Sequence, residues 1–395
     1  MPFDRTTVRD LDPAGKAVLV RVDFNVPLDD GRVADDTRIR AALPTIELLV
    51  SKGARIILAS HLGRPDGRPD PDLSLAPVAV RLAELLGRPV RFCPEVVGTR
   101  ATEMASELGP GDVLLLENLR FEPGETADDD GLATDLAGLA DLYVNDAFGA
   151  AHRSHASTAG VARHLPAVAG LLLEQEVSRL SAVAESPERP LVVVLGGAKV
   201  SDKIGLVSRF LEIADELLIG GAMCFPFFRS QGIETGNSLC EEEGVSLASD
   251  LLDLADRSDC ELRLPVDLVA GREFSAETEV STLDSNSVPD GWMGLDIGPA
   301  TARGYAEAIS GAATILWNGP MGAFELDPFS DGTRTVAEAV AGADGLTVVG
   351  GGDSVAALNR FGLEDSVDWV STGGGASLEL LEGRSLPGVE ALGRA

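Results

Sequence analysis

The chain has 395 residues, 45% of them hydrophobic, a length that suits two domains, each with enough apolar residues to bury a full core. Its 63 acidic and 32 basic residues give a formal net charge of −31, which argues against nucleic acid and anionic membrane as partners. Only four of the basic residues are lysine, and this acidic, lysine-poor balance suits molar salt, where a screening length of about 3 Å would stop surface carboxylates repelling one another.

Short β-branched or leucine-rich runs alternate with longer helical patterns throughout, the signature of βαβ units and parallel sheets. In the first half the pattern predicts strands at 17–24, 55–60, 90–93, 113–118 and 142–147. An amphipathic helix is predicted over 171–186, closed by the punctuation Ser186-Pro-Glu-Arg-Pro190. The second half predicts strands at 191–195, 216–219, 263–269, 314–318, 347–350 and 368–371. The fold class expected is therefore α/β, two doubly wound parallel-sheet lobes joined by a helix: residues 1–170, the hinge helix 171–186, and residues 187–385. Asp128–Asp130 reads as a solvated loop. Cys93, Cys224, Cys240 and Cys260 have no CxxC or Cys/His spacing and read as reduced, mostly core thiols. The polar, acidic start and the lack of an apolar run near 18 residues suggest a soluble, cytoplasmic protein.

Nearly every polar or glycine-rich signature directly follows one of these strands. In open α/β sheets, ligands bind outside the carboxyl ends of strands, so both halves offer ligand-facing edges. The first half places Arg21, Asp23 and Asn25 at one strand end, then Arg38, His61, Arg64, Arg120 and Arg153 beside turn residues. Convergent guanidinium forks in an acidic chain suit a small anion carrying carboxylate and phosphate. A lone surface arginine would be worth little, and His61 could equally be a hydrogen-bonded core histidine.

The second half offers the turns Gly196-Gly197, Gly220-Gly221, Gly350–Gly352 and Gly373–Gly375, which let backbone approach a ligand and, before a helix, supply an anion-binding N-terminus. Lys199 and Lys203 are expected at the first turn of a helix, both on one face and aimed at a transferring phosphoryl group. Asp353-Ser354 opens another helix; Asp353 is either a cap or a ligand for Mg²⁺ beside a polyphosphate. Glu325 is a candidate acceptor for ribose hydroxyls. Neither GxxxxGK[ST] nor GxGxxG is present, which removes Walker-type and Rossmann nucleotide sites.

From RVDFNVPL at 21–28 to STGGGASLELLEG at 371–383, these signatures resemble the phosphoglycerate kinase family in order and spacing. The resemblance implies that Asp23, Asn25, Arg38, His61, Arg64, Arg120 and Arg153 hold 3-phosphoglycerate. It implies that MgADP or MgATP is held by the other lobe: Gly220 and Gly221 against adenine, Glu325 at the ribose, Lys199 and Lys203 at the phosphates, Asp353 at the metal, and Gly351, Gly352 and Ser354 around the phosphate chain, with Asn318 beside them. Catalysis would fall to Arg38, Lys199, Lys203 and the Gly373–Gly374 helix start. The partners implied are 3-phosphoglycerate or 1,3-bisphosphoglycerate and ADP or ATP, the chain acting as a monomer, with residues 386–395 returning to the first lobe. Ser354 stands where the family commonly has threonine, and Cys224 and Pro226 are departures on the adenine side. A two-lobed binding protein would explain the arginines but not Lys199 and Lys203 with Asp353, and a dehydrogenase would need the missing dinucleotide fingerprint.

Overall fold

The structure, a computed structural model, describes residues 3–394. Contacts divide the chain into two compact units, one reaching to Arg179 and resuming at Arg384, the other Leu180–Gly383.

The first unit begins with β1 (Ala17–Arg21), a hairpin of β2 (Leu28–Asp29) and β3 (Arg32–Val33), and α1 (Thr37–Ser51). There follow β4 (Arg55–Ala59), α2 (Ala76–Leu86), β5 (Val90–Phe92), α3 (Thr99–Ser106), β6 (Val113–Leu115), α4 (Asp130–Ala137), β7 (Leu142–Asn145), β8 (Ala167–Ala169) and α5 (Leu171–Glu185). The strands make one sheet in the order β5-β6-β4-β1-β7-β8, parallel throughout. Val18, Val20, Ile56, Leu58 and Val144 bury one face of it against Ile39, Ile46 and Leu49 of α1. Register sets Arg21 level with Ala59 and Asn145, so the residues that follow all three emerge along one edge. The Ala-Val-Ala strand β8 lacked a sequence signal because alanine has little strand preference. Nor is the Asp128–Asp130 run simply solvated: Asp129 caps α4 through Leu132 N, and Asp128 pairs with Arg163.

The second unit runs β9 (Leu191–Leu195), α6 (Ile204–Ile213), β10 (Glu216–Ile219), α7 (Cys224–Ser230), α8 (Gly244–Ala255), β11 (Glu261–Arg263), β12 (Leu268–Gly271), β13 (Val280–Leu283) and β14 (Met293–Ile297). It continues through α9 (Pro299–Ser310), β15 (Thr314–Asn318), α10 (Asp331–Ala341), β16 (Leu346–Gly350), α11 (Gly352–Phe361), β17 (Trp369–Val370) and α12 (Gly375–Leu381). A second parallel sheet has the order β11-β10-β9-β15-β16-β17, with Trp317, Val194 and Val349 in its core. Leu195, Ile219, Asn318 and Gly350 lie in register, which puts the glycine-rich turns along one edge.

The predicted strand 263–269 is two strands in different sheets. Pro265 cannot donate to a ladder, and the Asp267 carboxylate accepts the N–H groups of Ala300 and Thr301 at the start of α9, so the chain turns between them. From β12 onward it builds a small antiparallel sheet, β13-β12-β14, absent from the expected pattern. The chain ends in α13 (Pro387–Glu390), within the first unit: Arg5 bridges Arg394, and the Asn145 amide donates to Gly388 O at 3.1 Å.

Candidate functional site

In the first unit the edge beyond β1, β4 and β7 carries a buried polar network. Arg21, 1% exposed, donates through Nε to Ser157 Oγ at 2.9 Å, through one terminal nitrogen to Val22 O, and through the other to His61 Nδ1 at 3.1 Å. Because a guanidinium only donates, His61 Nδ1 must accept, which leaves the proton of the neutral ring on Nε2. Burial, then Arg21, Arg120, Arg38 and Arg153, push His61 well below its ordinary 6.5, so the ring is neutral at pH 7. Arg21 thus contacts the imidazole, and the charges of Arg120, Arg38 and Arg153 act on it.

Arg38 donates to Asp23 at 2.9 Å, Asn25 Oδ1 accepts Gly63 N at 2.9 Å, and Arg120 donates to Gly63 O at 2.5 Å. Burial and the charges of Arg153 and Arg21 push Arg120 down, with Arg64 adding to them, and Arg120 Nε is buried without a hydrogen-bond partner. Asp23, Asn25, Arg38, His61 and Arg120 are thus linked in one cluster, and the charges of half-buried Arg153 and exposed Arg64 act on its Arg120. Sequence reasoning missed the layer beneath. Glu125 is fully buried, and although burial would raise it, His155, Arg21 and Ser157 hold it below the usual carboxylate range. Its carboxylate accepts the Ser157 hydroxyl at 2.6 Å and so anchors the support of Arg21. Nothing in the local sequence around Glu125 marks a partner 32 positions away.

In the second unit the strand ends pack backbone on backbone. Gly196 N donates to Asn318 O, Gly197 N to Pro320 O and Gly221 N to Met321 O, at 3.1, 3.1 and 2.9 Å. A Cβ on Gly196 would lie 2.0 Å from Pro320 O, and one on Gly221 would lie 2.6 Å from Gly197 N. Gly220 faces the Met321 sulfur in the same way. Part of the demand for glycine here comes from neighbouring turns, and only part from space left for a ligand.

Lys203 differs from expectation. Ser201–Lys203 is a 3₁₀ turn and α6 begins at Ile204, with Lys203 at its cap in a non-helical conformation (φ −126°). It does not share a helical face with exposed Lys199; its Nζ turns inward to Gly196 O and Asn318 O at 2.6 and 2.8 Å. Burial pushes the ammonium down to about 8, against the opposing charges of Asp353 and Asp202. Asp353 is exposed in the first turn of α11, and Gly351, with φ +88°, opens that helix close to the Asn318 amide. Ser354 Oγ, fully buried, accepts Gly319 N at 2.6 Å.

A cavity of about 640 Å³ lies beside these turns, lined by Gly221, Glu325 and Asp353 among the expected residues. Gly220, Asn318, Gly351, Gly352 and Ser354 sit in or behind its turns rather than on its wall, and Lys199 and the Gly373–Gly374 segment lie outside the lining. Most of the wall was not foreseen: Phe225, Leu268, Phe274, Met293, Gly294 and Leu295. They come from α7, the antiparallel sheet and the loop after β12, where apolar residues carry no chemical signature; exposed Phe274 and Leu239 mark the rim. Among the described residues, no group of three or more His, Cys, Asp or Glu could hold a metal by itself, and no helix is long and apolar enough to cross a membrane.

The family model for phosphoglycerate kinase matches residues 8–384. Similar curated proteins include the phosphoglycerate kinase of Moorella thermoacetica, 56% identical over 388 residues covering 98% of this chain and 99% of that one. That of Roseiflexus castenholzii is 54% identical over 393 residues, 99% of this chain and all of its own. Among solved structures, phosphoglycerate kinase from Coxiella burnetii superposes with a TM-score of 0.90 at 41% identity, covering 98% of each chain. That from Pyrococcus horikoshii gives 0.86 at 34%, with the same coverage.

Proposed function

The chain belongs to the phosphoglycerate kinase family, and from that premise we propose how its two residue clusters divide the work. The enzyme is a phosphotransferase with a carboxyl group as acceptor, interconverting 1,3-bisphosphoglycerate plus ADP with 3-phosphoglycerate plus ATP. The first-unit cluster of Asp23, Asn25, Arg38, His61, Arg64, Arg120 and Arg153 binds 3-phosphoglycerate. One observation carries this reading: in a chain of net charge −31, a buried histidine hydrogen-bonded to Arg21 lies within reach of the charges of Arg120, Arg38 and Arg153, beside a buried guanidinium Nε that lacks an acceptor. Such a cluster is stable only if an anion, or water, meets its donors.

The second-unit cavity takes the nucleotide, with the base among Phe225, Leu268 and Met293 near Gly220 and Gly221, and Glu325 at the ribose. Lys199, Lys203, Gly351, Gly352 and Ser354 surround the phosphates, with Asn318 supporting Gly351. One exposed carboxylate, Asp353, at a helix start fits Mg²⁺, which takes one or two protein carboxylates and completes its shell with phosphate and water. When bound, that ion neutralises charge on the phosphates.

The acceptor carboxylate, with a pKa near ~4, is ionised at pH 7, so the reaction asks for no general base. Neutral His61 therefore serves as an Nε2–H donor rather than a proton acceptor. Arg38 and Lys203 touch the transferring group, assisted by Lys199 and the backbone at Gly373–Gly374. In-line transfer requires the two ligands to meet, and α5 is the hinge we infer for that closure. We further infer a cytoplasmic monomer adapted to high salt, from the four free cysteines and the acidic excess.

The test is a coupled assay for ATP formation from ADP and 1,3-bisphosphoglycerate, run beside calorimetry of each ligand. Wild-type activity, with 3-phosphoglycerate binding lost from Arg120→Ala while ADP binding persists, is the expected result. Loss of ADP binding from that variant would overturn the division of labour.

A further inference from the structure

Two adjacent residues at the end of β7 hold the segment through which the chain leaves the first unit and the segment in which it returns. Asn145 donates to Gly388 O in the returning tail and accepts Gly170 N at 2.8 Å. Asp146, fully buried, accepts Leu172 N at 2.9 Å and Leu173 N at 3.3 Å, both through Oδ1, and so caps α5. The contact admits no slack: a Cβ on Gly170 would lie 2.1 Å from that oxygen. Leu171 N is taken by Thr45 Oγ1 at 2.9 Å. The loop that starts at Asp146 also carries Arg153, and the chain passes into the second unit within α5, after Arg179.

The other carboxyl oxygen, Oδ2, is buried with no hydrogen-bond partner. An ionised carboxylate in that position would have one oxygen desolvated, with only the nearby Thr45 hydroxyl to favour its charge beside the two N–H groups on Oδ1, an expensive state. A neutral carboxyl avoids the charge while Oδ1 still accepts both N–H groups. Ionisation favours admitting water, and the Gly170–Leu173 turn, which closes over Oδ1, is the contact that would open to it.

We propose that Asp146 is a proton-operated clamp on the start of α5: neutral, it pins that helix to the loop bearing Arg153, and ionised, it loosens the junction. Burial raises the carboxyl to about 7, opposed by the Thr45 hydroxyl and by the N–H groups of Leu173 and Leu172. The charged residues on the elements packed around it are Arg21 on β1, Arg38, Arg40 and Glu47 on α1, Glu174, Glu176, Arg179 and Glu185 on α5 and Glu390 on α13. None of them contributes to the shift, so the clamp answers to protons and not to a neighbouring ion pair. A clamp working near neutrality would make the freedom of the crossing helix depend on pH in the range where an enzyme operates.

Hydrogen exchange on the full-length, ligand-free chain tests this, so its failure is distinct from failure of the phosphoryl-transfer reading. After correction for intrinsic rates, exchange of the peptide spanning Gly170–Glu174 should rise at least about fivefold between pH 6 and 8.5, with a midpoint near 7, while β1 and β4 amides stay unchanged. Asp146→Asn, which cannot ionise, should flatten that rise to less than about twofold. Thr45→Val, which removes the largest opposing group, should move the midpoint upward, and it serves if the asparagine variant does not fold. A flat profile in the parent chain, or a rise in Asp146→Asn equal to the parent's, overturns the proposal.

Discussion

Each unit presents its candidate residues along the carboxyl edge of a six-stranded parallel sheet, yet the two edges work by opposite means. In the first unit the edge is made of side chains: guanidinium groups held at fixed angles by Ser157, Asp23, His61 and backbone carbonyls. In the second it is made of backbone, with the turns at Gly196, Gly221 and Gly319 packed too closely for any Cβ. Lysine, unlike arginine, is used alike in both units. Lys52 donates to the carbonyls of Val8, Arg9 and Leu11, and Lys203 to those of Gly196 and Asn318. A compact ammonium with three donors can gather converging carbonyls where a planar fork cannot. In a chain that otherwise uses arginine, two of the four lysines occupy such sockets.

The largest effect expected acts on both edges together. At ~0.01 M salt the screening length is ~30 Å, and repulsion among surface carboxylates spans the surface and opposes the compact state. Dialysis into dilute buffer should unfold the chain cooperatively, with recovery in molar KCl, followed by circular dichroism. A chain that stays folded in dilute buffer removes the salt-adapted reading. Next comes Lys203→Ala, which should cut turnover by about a hundred- to a thousand-fold while ADP affinity changes far less. Equal losses in affinity with turnover intact would make Lys203 a binding and packing residue only.

The contrast also explains what the sequence made legible. Arg38, His61, Arg64, Arg120 and Arg153 could be picked out because their chemistry travels with residue type and they follow strand runs. Glu125, Ser157 and His155 could not, since their role depends on a fold that brings Ser157 to a carboxylate 32 positions earlier. In the second unit the glycines were visible but their purpose was misjudged in part, because a turn packed on a turn and a turn packed on a ligand both need glycine. Lys203 misled for a related reason: i,i+4 spacing implies a shared face only inside a helix, and here the helix starts one residue later. The antiparallel sheet was hidden because Pro265 and the short strands around it break the alternation that marks a strand.

Arg153→Ala should raise the apparent affinity constant for 3-phosphoglycerate by about ten- to a hundred-fold, the loss of one charge-assisted contact, without changing ADP binding. Comparable weakening of both ligands would dissolve the distinction between the edges. A pH titration sharpens it further. With its ammonium lowered to about 8, Lys203 is charged below that pH, so turnover should fall by up to about tenfold per unit above it while ADP affinity changes far less. Unfolding is not the cause of that fall. Between about 8 and the ordinary 10.5 the unfolded chain holds the extra proton, so this group adds stability as pH rises. Binding of 3-phosphoglycerate should stay level across the same range, because its cluster rests on arginines and a histidine already neutral.

The smallest effect joins the metal to that lysine. Asp353 is the carboxylate we propose for Mg²⁺ and, by its charge, is the main influence holding the Lys203 proton against burial. Asp353→Asn removes one negative charge from each partnership while leaving the backbone of α11 able to form. The Mg²⁺ needed for half-maximal activity should rise by about three- to tenfold, a typical loss when one anionic contact to a metal is removed. The alkaline fall in turnover should also begin at lower pH, since less negative charge then opposes deprotonation of Lys203. The two signatures separate the roles. Movement of the alkaline fall with an unchanged Mg²⁺ requirement would reduce Asp353 to an electrostatic partner of Lys203, whereas a raised Mg²⁺ requirement with an unmoved fall would confine it to the metal. If neither moves, Asp353 is an exposed residue of the first helical turn with no part in the reaction.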